Sequence, residues 1–270
     1  MLGKIFFFFC QSGALLYALN VEPWYRNLWE FTFSPSYTYD YFRSIQRGRP
    51  SSVSSNNHLL LFHLDFPPSV SWELDTELEF AATSFQGMGF RSSGWQARYL
   101  WLDDVAGDPI SLTTGWSFRG VSRRNLKDLD CPYHATLNFE GNISCGKEWG
   151  HPNEGYLRAC GFGALGWGNK GSLWVRFLGR IEKNIAHSHR WQLSLQGYFG
   201  LGHQVIVNTL HFNGYGSIRH KSLDCTLEYS YLFRVWGELS FSYSRRVYAR
   251  SFPQGVNFFM IKYLLPFSLF

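Results

Sequence analysis

The sequence lacks long apolar runs beyond its N-terminus and holds comparatively little charge. Asp, Glu, Lys and Arg make up 17% of the 270 residues, whereas soluble domains usually contain about 25%. A transmembrane helix needs about 18 or more consecutive apolar residues, and no such run follows the N-terminal stretch. These shortages exclude a bundle of membrane helices and argue against an ordinary soluble domain.

The excess of positive charge is modest, and the basic residues are dispersed along the chain. The formal net charge is +5 and the isoelectric point is near 8.9. Nucleic-acid binding would require Lys and Arg clustered on one face together with stacking aromatic residues. Here the Arg residues are dispersed and the aromatic residues recur at strand spacing, so we predict no nucleic-acid partner.

Cysteine is scarce, with 5 residues in the chain. No CxxC spacing indicates zinc, and we predict neither a metal nor a cofactor. Removal of a predicted N-terminal signal would leave Cys131, Cys145, Cys160 and Cys225. In a compartment that permits disulfides, Cys131 is the best candidate for a bridge because it lies in a predicted loop. Cys145 and Cys225 fall on apolar strand faces, where they could be small lipid-facing residues.

Aromatic residues are abundant, at 19% of the chain, and they alternate with polar ones. From Ser69 to Ala82 one parity is apolar, and the other carries Glu73, Asp75, Glu77 and Glu79. A period of two predicts a β-strand, because successive side chains leave opposite faces of the pleat. The stretch is long enough for a tilted strand that crosses a bilayer, which takes about 9 to 11 residues. A long hairpin strand of a soluble barrel is the alternative for this segment alone.

Similar alternation recurs along the chain in about thirteen segments. Single-chain bacterial barrels have an even strand number, so we predict an all-β fold, a transmembrane antiparallel up-and-down β-barrel of about 12 strands, with 14 as the alternative. The segments in doubt are Tyr156 to Trp167 and Gln204 to Arg219. Predicted loops include Arg43 to Asn57 and the charged stretch Ser122 to His134.

Prolines modify two of these predicted strands. Pro35 cannot donate to a β-ladder, which predicts a bulge or an edge at that position. The pair Pro67-Pro68 predicts the turn that leads into the acidic strand.

The predicted domain organisation has three parts. Residues 1–18 read as a secretory signal, with Lys4 in a positive region, an apolar core and Ala18 at a cleavage site. A short N-terminal segment, residues 19–27, follows. Residues 28–270 form the predicted barrel.

A signal sequence, repeated amphipathic strands and the terminal Phe270 together resemble Gram-negative outer-membrane β-barrels. The resemblance implies a location in the cell outer membrane, contact with outer-membrane lipid, and recognition of the terminal aromatic residue by the barrel-assembly machinery. The apolar parity of the last strand belongs to Phe267 instead. A bulge at Pro266 would restore the register, so both Phe270 and Phe267 are candidates for the assembly signal.

Several short blocks are similar to uncharacterised outer-membrane proteins of the chlamydial group. This narrower resemblance implies a fold and a location but no known activity. The blocks are residues 102–109, 119–122, 131–134, 146–149, 249–253 and 256–259.

If the apolar parity faces lipid, the other parity lines a lumen. The acidic row would then share that interior with Arg98, Arg119, Arg176, Arg180, Arg246 and Arg250. Buried charges must pair with one another or meet water. Paired charges would make a plug or a network that merely holds the barrel, whereas charges on opposite walls would orient polar solutes in a narrow, porin-like channel.

Two other functions compete with a channel for small polar solutes. A closed structural barrel could bind a surface partner through the loops Arg43 to Asn57 and Ser122 to His134. A lipid-acting hydrolase could use the sequence His187-Ser188-His189, although adjacent residues of a strand point to opposite faces. Asp103, Asp104 and Asp108 crowd one turn, but their spacing does not match a calcium loop and such residues are ordinary in turns.

Overall fold

The computed structural model describes residues 19–151, 155–233 and 236–268, and it contains twelve long strands. The predicted signal, Met1 to Ala18, and Phe270 lie outside the described residues. No helix in the described part is long and apolar enough to cross a membrane. The strands are β1 (Glu30–Phe42), β2 (Ser55–Ser69), β3 (Trp72–Ala82), β4 (Gly89–Leu102), β5 (Ser111–Val121), β6 (Leu137–His151), β7 (Gly155–Gly168), β8 (Trp174–Ile185), β9 (His189–Gly200), β10 (Lys221–Phe233), β11 (Gly237–Arg250) and β12 (Asn257–Ser268).

The twelve strands close into one antiparallel up-and-down barrel. Each strand pairs with its chain neighbours, and β1 pairs with β12 to close the ring. The predicted strand number of about 12 is therefore confirmed. Of the two segments in doubt, Tyr156 to Trp167 lies in β7, whereas Gln204 to Arg219 is a loop. In this loop Val207–Asn208 pairs with Gly48–Arg49, and Gln204 forms an isolated bridge with Ile218.

The structure contradicts the predicted turn at Pro67-Pro68 and the predicted bulge at Pro35. The turn before β3 is Val70–Ser71, because Pro67 and Pro68 still belong to β2, at an end where the register to β3 shifts. Pro35 stands inside β1 without a bulge: the pairing with β12 skips residues 34 and 35 and resumes with the same offset. Pro266 pairs with Thr32 without a shift either. A missing N–H thus removes a ladder bond here without inserting a residue.

The two strand parities face two different environments, as the alternation predicts. On β3 the apolar Trp72, Leu74 and Leu78 are between 44% and 46% exposed, whereas the carboxylates between them are at most 6% exposed. Exposed Trp residues recur near the short-turn end of the barrel, where an aromatic girdle meets the membrane interface. They are Trp29, Trp72, Trp101, Trp149 and Trp191. Such an exterior requires a bilayer around it.

Placing a charge in the middle of this exterior should destabilise the barrel in a depth-dependent way. Ile181 is 56% exposed near the middle of β8, and Ile185 is 47% exposed at its end. We expect Ile181→Arg to cost about 2 to 4 kcal/mol of folding free energy and Ile185→Arg about 0 to 1 kcal/mol. Urea titrations in phospholipid vesicles measure both, and equal costs for the two variants would contradict the lipid-facing assignment.

Long loops fold over one end of the barrel and form what we call the cap, residues 43–54, 122–136, 201–220 and 251–256. Their apolar side chains bury one another and the adjacent barrel wall; the members include Ile45, Leu126, Leu129, Cys131, Tyr133, Val207, Phe212, Tyr215, Ile218, Phe252 and Val256. Hydrogen bonds tie the loops together, such as Tyr215 Oη to the Leu129 carbonyl at 2.9 Å and Ser251 Oγ to the Val205 carbonyl at 2.6 Å. The cap is a small hydrophobic core of its own.

The four described cysteines are free, so the suggested Cys131 bridge is wrong in this structure. Cys131 is fully buried in the cap, and burial raises the pKa of its thiol from 9.0 to about 12. Cys145 is exposed on the outer face, in keeping with its apolar parity.

Because the thiolate is the reactive form, Cys131 should resist maleimide in the folded protein at pH 8. It should be labelled only after denaturation, while Cys145 in detergent serves as the accessible control. Mass spectrometry of tryptic peptides measures the labelling, and rapid modification of Cys131 would show that the cap opens.

Candidate functional site in the barrel lumen

The acidic row of β3 points into the barrel, where each carboxylate has a basic neighbour. Glu73 forms an ion pair with Arg98, and both side chains are 0% exposed. Arg119 Nη1 lies 2.5 Å from Glu77 Oε1. Arg98 stands on the adjacent strand β4 and Arg119 on β5, one strand further along the ring, so these charges pair laterally along the wall and not across the lumen.

The acidic row has two further basic partners, and strand parity assigns one of them, Arg91, to the wrong face. Arg91 lies 3.4 Å from Glu79, and His63 Nε2 lies 3.2 Å from Asp75 Oδ1. Arg91 shares the parity of the lipid-facing Trp95, but a register shift between Glu79 and Phe80 turns it inward. A bulge of this kind inserts one residue, which reverses the faces beyond it.

A second bulge separates two of the predicted lumenal basic residues, Arg246 and Arg250, so that they face opposite sides of the wall. Arg246 makes two bonds to Asp224, at 2.8 Å and 3.0 Å, inside the barrel. Arg250 is exposed, so its predicted lumenal position was wrong. The register between β10 and β11 shifts at Leu223/Asp224, and the parity of β11 reverses before Arg250.

Arg176 belongs to an inward-facing cluster between β6 and β8. Its Nη2 lies 2.7 Å from Glu140 Oε2, and Trp174 Nε1 donates to Glu140 Oε1 at 2.7 Å. The indole of Trp174 fits because position 166 is Gly: a Cβ there would lie 2.0 Å from Trp174 Cε2. Glu140 thus connects the lumen wall to the cap.

Residues 19–27 enter the lumen from the short-turn end, and we call this segment the plug. Gln96 Nε2 donates to the Asn20 carbonyl at 2.7 Å, and Arg98 donates to the Glu22 carbonyl. Val21 packs in a small cluster with the inward-facing side chains of Phe162, Ala164 and Leu178. Nothing in the local sequence of this segment predicted its location.

Trp24 anchors the plug at the end of the barrel. Its Nε1 donates to Asp104 Oδ1 at 2.8 Å, and a Cβ on Gly146 would lie 2.7 Å from its ring. Burial raises the pKa of Asp104, but hydrogen bonds from Ser111, the Glu148 amide and Trp24 outweigh that effect and lower it below 3.8. Asp104 therefore holds the plug. In the same turn Asp103 is half-buried and Asp108 is exposed.

Glu22 of the plug carries a carboxylate to the wall opposite the acidic row. Its side chain accepts a hydrogen bond from Arg180 Nη1 on β8. Burial raises the pKa of Glu22, but the guanidinium groups of Arg180, Arg190 and Arg158 outweigh burial and lower it from 4.5 to about 2. Glu22 is consequently ionised at neutral pH.

A cavity of about 390 Å³ lies between the two walls and beside the plug. In the ring of twelve strands, β9 stands opposite β3. Asp65, Glu77 and Glu79 line one side of the cavity, and Arg158, Arg180 and Arg190 line the other. Glu228 of β10 and Lys262 of β12 line it as well. The lumen thus presents acidic and basic groups on facing walls.

The remaining candidate triad, His187-Ser188-His189, is at the turn between β8 and β9. Ala186 and His187 both have positive φ, and the Ser188 amide donates to the Ile185 carbonyl at 3.3 Å. His189 lies on the exposed side, where its Nδ1 shares a hydrogen bond of 2.8 Å with the Tyr229 hydroxyl. This arrangement points His189 at Tyr229, not at Ser188.

No protein-family model and no curated protein sequence matches the chain. Solved structures do match it over nearly its whole length. An outer-membrane channel from Pseudomonas putida F1 has a TM-score of 0.64 at 10% identity, and the likeness covers 90% of this chain and 97% of that chain. The NanC porin has a TM-score of 0.56 at 9% identity, covering 86% and 98%. The KdgM porin, solved in complex with disordered oligogalacturonate, has a TM-score of 0.50 at 12% identity, covering 87% and 99%.

At these identities the likeness concerns the fold. The narrower chlamydial resemblance finds no support in these matches. The closed barrel, its apolar exterior and the similar structures agree with the predicted location in the outer membrane. The chain has the fold of a closed, twelve-stranded outer-membrane β-barrel.

Proposed function

We propose that the protein is a narrow outer-membrane channel for small polar solutes, with a charged lumen. The observation that carries this proposal is the cavity between the acidic wall of β3 and the basic wall formed by Arg158, Arg180 and Arg190. Opposite charges on facing walls orient polar solutes and slow apolar ones. The fold it shares with an outer-membrane channel and two porins supports the same function.

The proposed function also requires that the chain be secreted and then assembled in the outer membrane. We propose that residues 1–18 act as a secretory signal and that the last strand is recognised by the barrel-assembly machinery. Phe267 is on the lipid face, with its ring 5.5 Å from that of Phe31, which suits an aromatic residue that is read from the bilayer side. Outer-membrane barrels have short periplasmic turns and longer extracellular loops. We therefore place the short turns in the periplasm and the cap at the cell exterior.

Planar-bilayer recordings test the channel. Purified protein should give discrete conductance steps, and the ion preference should change when a wall charge is removed. Arg180→Gln should shift the reversal potential towards cation preference, and Glu77→Gln should shift it towards anion preference, because each removes the counter-charge of one ion class. Asp108→Asn, which removes an exposed turn carboxylate, is the control with the same charge change as Glu77→Gln.

A closed barrel is the competing function, favoured by the buried cap at one end and the plug at the other. It would keep the wild-type protein silent at all voltages while folding normally, as judged by heat-modifiable migration on a gel. Loop deletion would then abolish binding to a surface partner.

A further inference from the structure

The plug places one of the chain's own carboxylates on the basic wall of the lumen. We propose that Arg180 is the centre of a binding site for short monocarboxylate solutes, and that Glu22 is a built-in occupant which such a solute displaces. This inference rests on the proposed channel function and names its substrate class.

The ion-pair pattern distinguishes Arg180 from the other basic residues of the wall. Arg158 Nε lies 2.6 Å from Glu148 Oε2, and Arg190 pairs with Glu238, so both have carboxylate partners on barrel strands. Within the part of the chain that the structure describes, Arg180 makes its ion pair with Glu22. If the plug withdrew, Arg180 would lose its ion-pair partner while remaining in a largely buried position, with Glu228 and Glu182 as the nearby carboxylates of the wall. A buried guanidinium without an ion-pair partner favours capture of another anion.

The guanidinium groups at this position have hydrogen-bond donors that the folded protein does not use. The Arg180 side chain is 9% exposed. Its Nε and that of Arg190 are buried, and in the described structure neither atom donates a hydrogen bond. A guanidinium offers five N–H donors in a planar fork that fits a carboxylate with two parallel bonds. The single bond to Glu22 therefore leaves donor capacity that a free carboxylate can use.

The surrounding space and charge restrict the solute. The cavity of about 390 Å³ beside Glu22 is within the range of about 300 to 1,000 Å³ found for small-molecule sites. Asp65, Glu77 and Glu79 line its far side, and Glu228 lines it nearer to Arg180. A second carboxylate would face these groups, so the site suits one negative charge on a short solute.

Equilibrium dialysis with propionate tests the site, because propionate corresponds to the Glu22 side chain and propionamide is its neutral isostere. The full chain is folded in detergent, and heat-modifiable migration verifies the barrel. Removal of the internal competitor in Glu22→Gln should tighten propionate binding by about tenfold. The double variant Glu22→Gln/Arg180→Gln should lose this binding, and Asp108→Asn should behave as wild type. Equal affinities in wild type and Glu22→Gln, or binding that survives Arg180→Gln, would overturn the proposal.

Hydrogen exchange on the unmodified protein provides a second measurement that needs no variant. Propionate should accelerate exchange of the backbone amides in residues 19–27, whereas propionamide should leave their rates unchanged. Identical exchange rates with both compounds at saturating concentration would contradict the proposal that a carboxylate displaces Glu22. If the protein binds propionate as expected but conducts no ions in a planar bilayer, the channel function is rejected and the carboxylate site is retained. If the protein conducts ions but does not bind propionate, the carboxylate site alone is rejected.

Discussion

Replacing residues 204–218 by a short Gly-Ser turn should raise the single-channel conductance several-fold. This loop supplies Val207, Phe212 and Tyr215 to the cap, and Val207 and Tyr215 are 0% exposed. Without them the apolar cluster over the lumen loses its central members, and water can reach the charged walls. The barrel itself should persist, because the replaced residues contribute no long strand to the ring. Planar-bilayer recordings on the refolded variant measure the change.

Point variants within the same loop separate a cap effect from a general loss of structure. Tyr215→Ala removes a buried ring and its hydrogen bond to the Leu129 carbonyl, and it should give a smaller increase of the same sign. Leu210 is 76% exposed in this loop, so Leu210→Ala should conduct like wild type. If the loop replacement leaves the conductance unchanged, the barrier to ion flow lies at the plug and not at the cap.

Arg98→Met should destabilise the barrel by about 3 to 5 kcal/mol, the usual result of removing one member of a buried ion pair. Glu73 and Arg98 are both 0% exposed, and Arg98 Nε also lies 3.7 Å from Asp75. The substitution leaves Glu73 without its cation, leaves Asp75 with His63 alone, and removes the bond that holds the Glu22 carbonyl. Urea unfolding of the protein in phospholipid vesicles, followed by tryptophan fluorescence, measures the change in free energy.

The matched control is Arg123→Met, which removes the same charge from an exposed loop position and should change stability by no more than about 0.5 kcal/mol. Glu73→Gln combined with Arg98→Met should recover part of the loss, because neither charge then remains unpaired. Should Arg98→Met cost no more than Arg123→Met, water in the lumen must solvate the acidic row, and lateral pairing contributes little to folding.

The predictions that succeeded depend on a local property, the period of two. Whether a side chain of β3 meets lipid or the lumen follows from its parity within one strand, so Trp72 and Glu73 could be assigned without knowing what surrounds them. The strand number followed from counting such segments, and the requirement for an even number removed one of them. Gln204 to Arg219, whose pattern is irregular, was the surplus segment, because a loop that contributes apolar residues to the cap resembles a strand in composition.

The failures to assign a side chain to the lumen or the exterior depend on single inserted residues. A bulge shifts the ladder by one position and reverses every face beyond it. Arg91 is therefore lumenal and Arg250 is exposed, although the parity of each indicated the opposite. The sequence near either bulge contains no distinctive residue that marks the shift.

By itself, the sequence determined the two-sided strands, the barrel class and the inward direction of the acidic row, because each of these follows from alternation between near neighbours. Only the tertiary structure decided which charges pair, that four loops form a cap, and that residues 19–27 lie inside the barrel. Glu22 and Arg180 are 158 positions apart, and the closing of the ring brings them together. Such a contact depends on the register of every intervening strand, which no local pattern encodes.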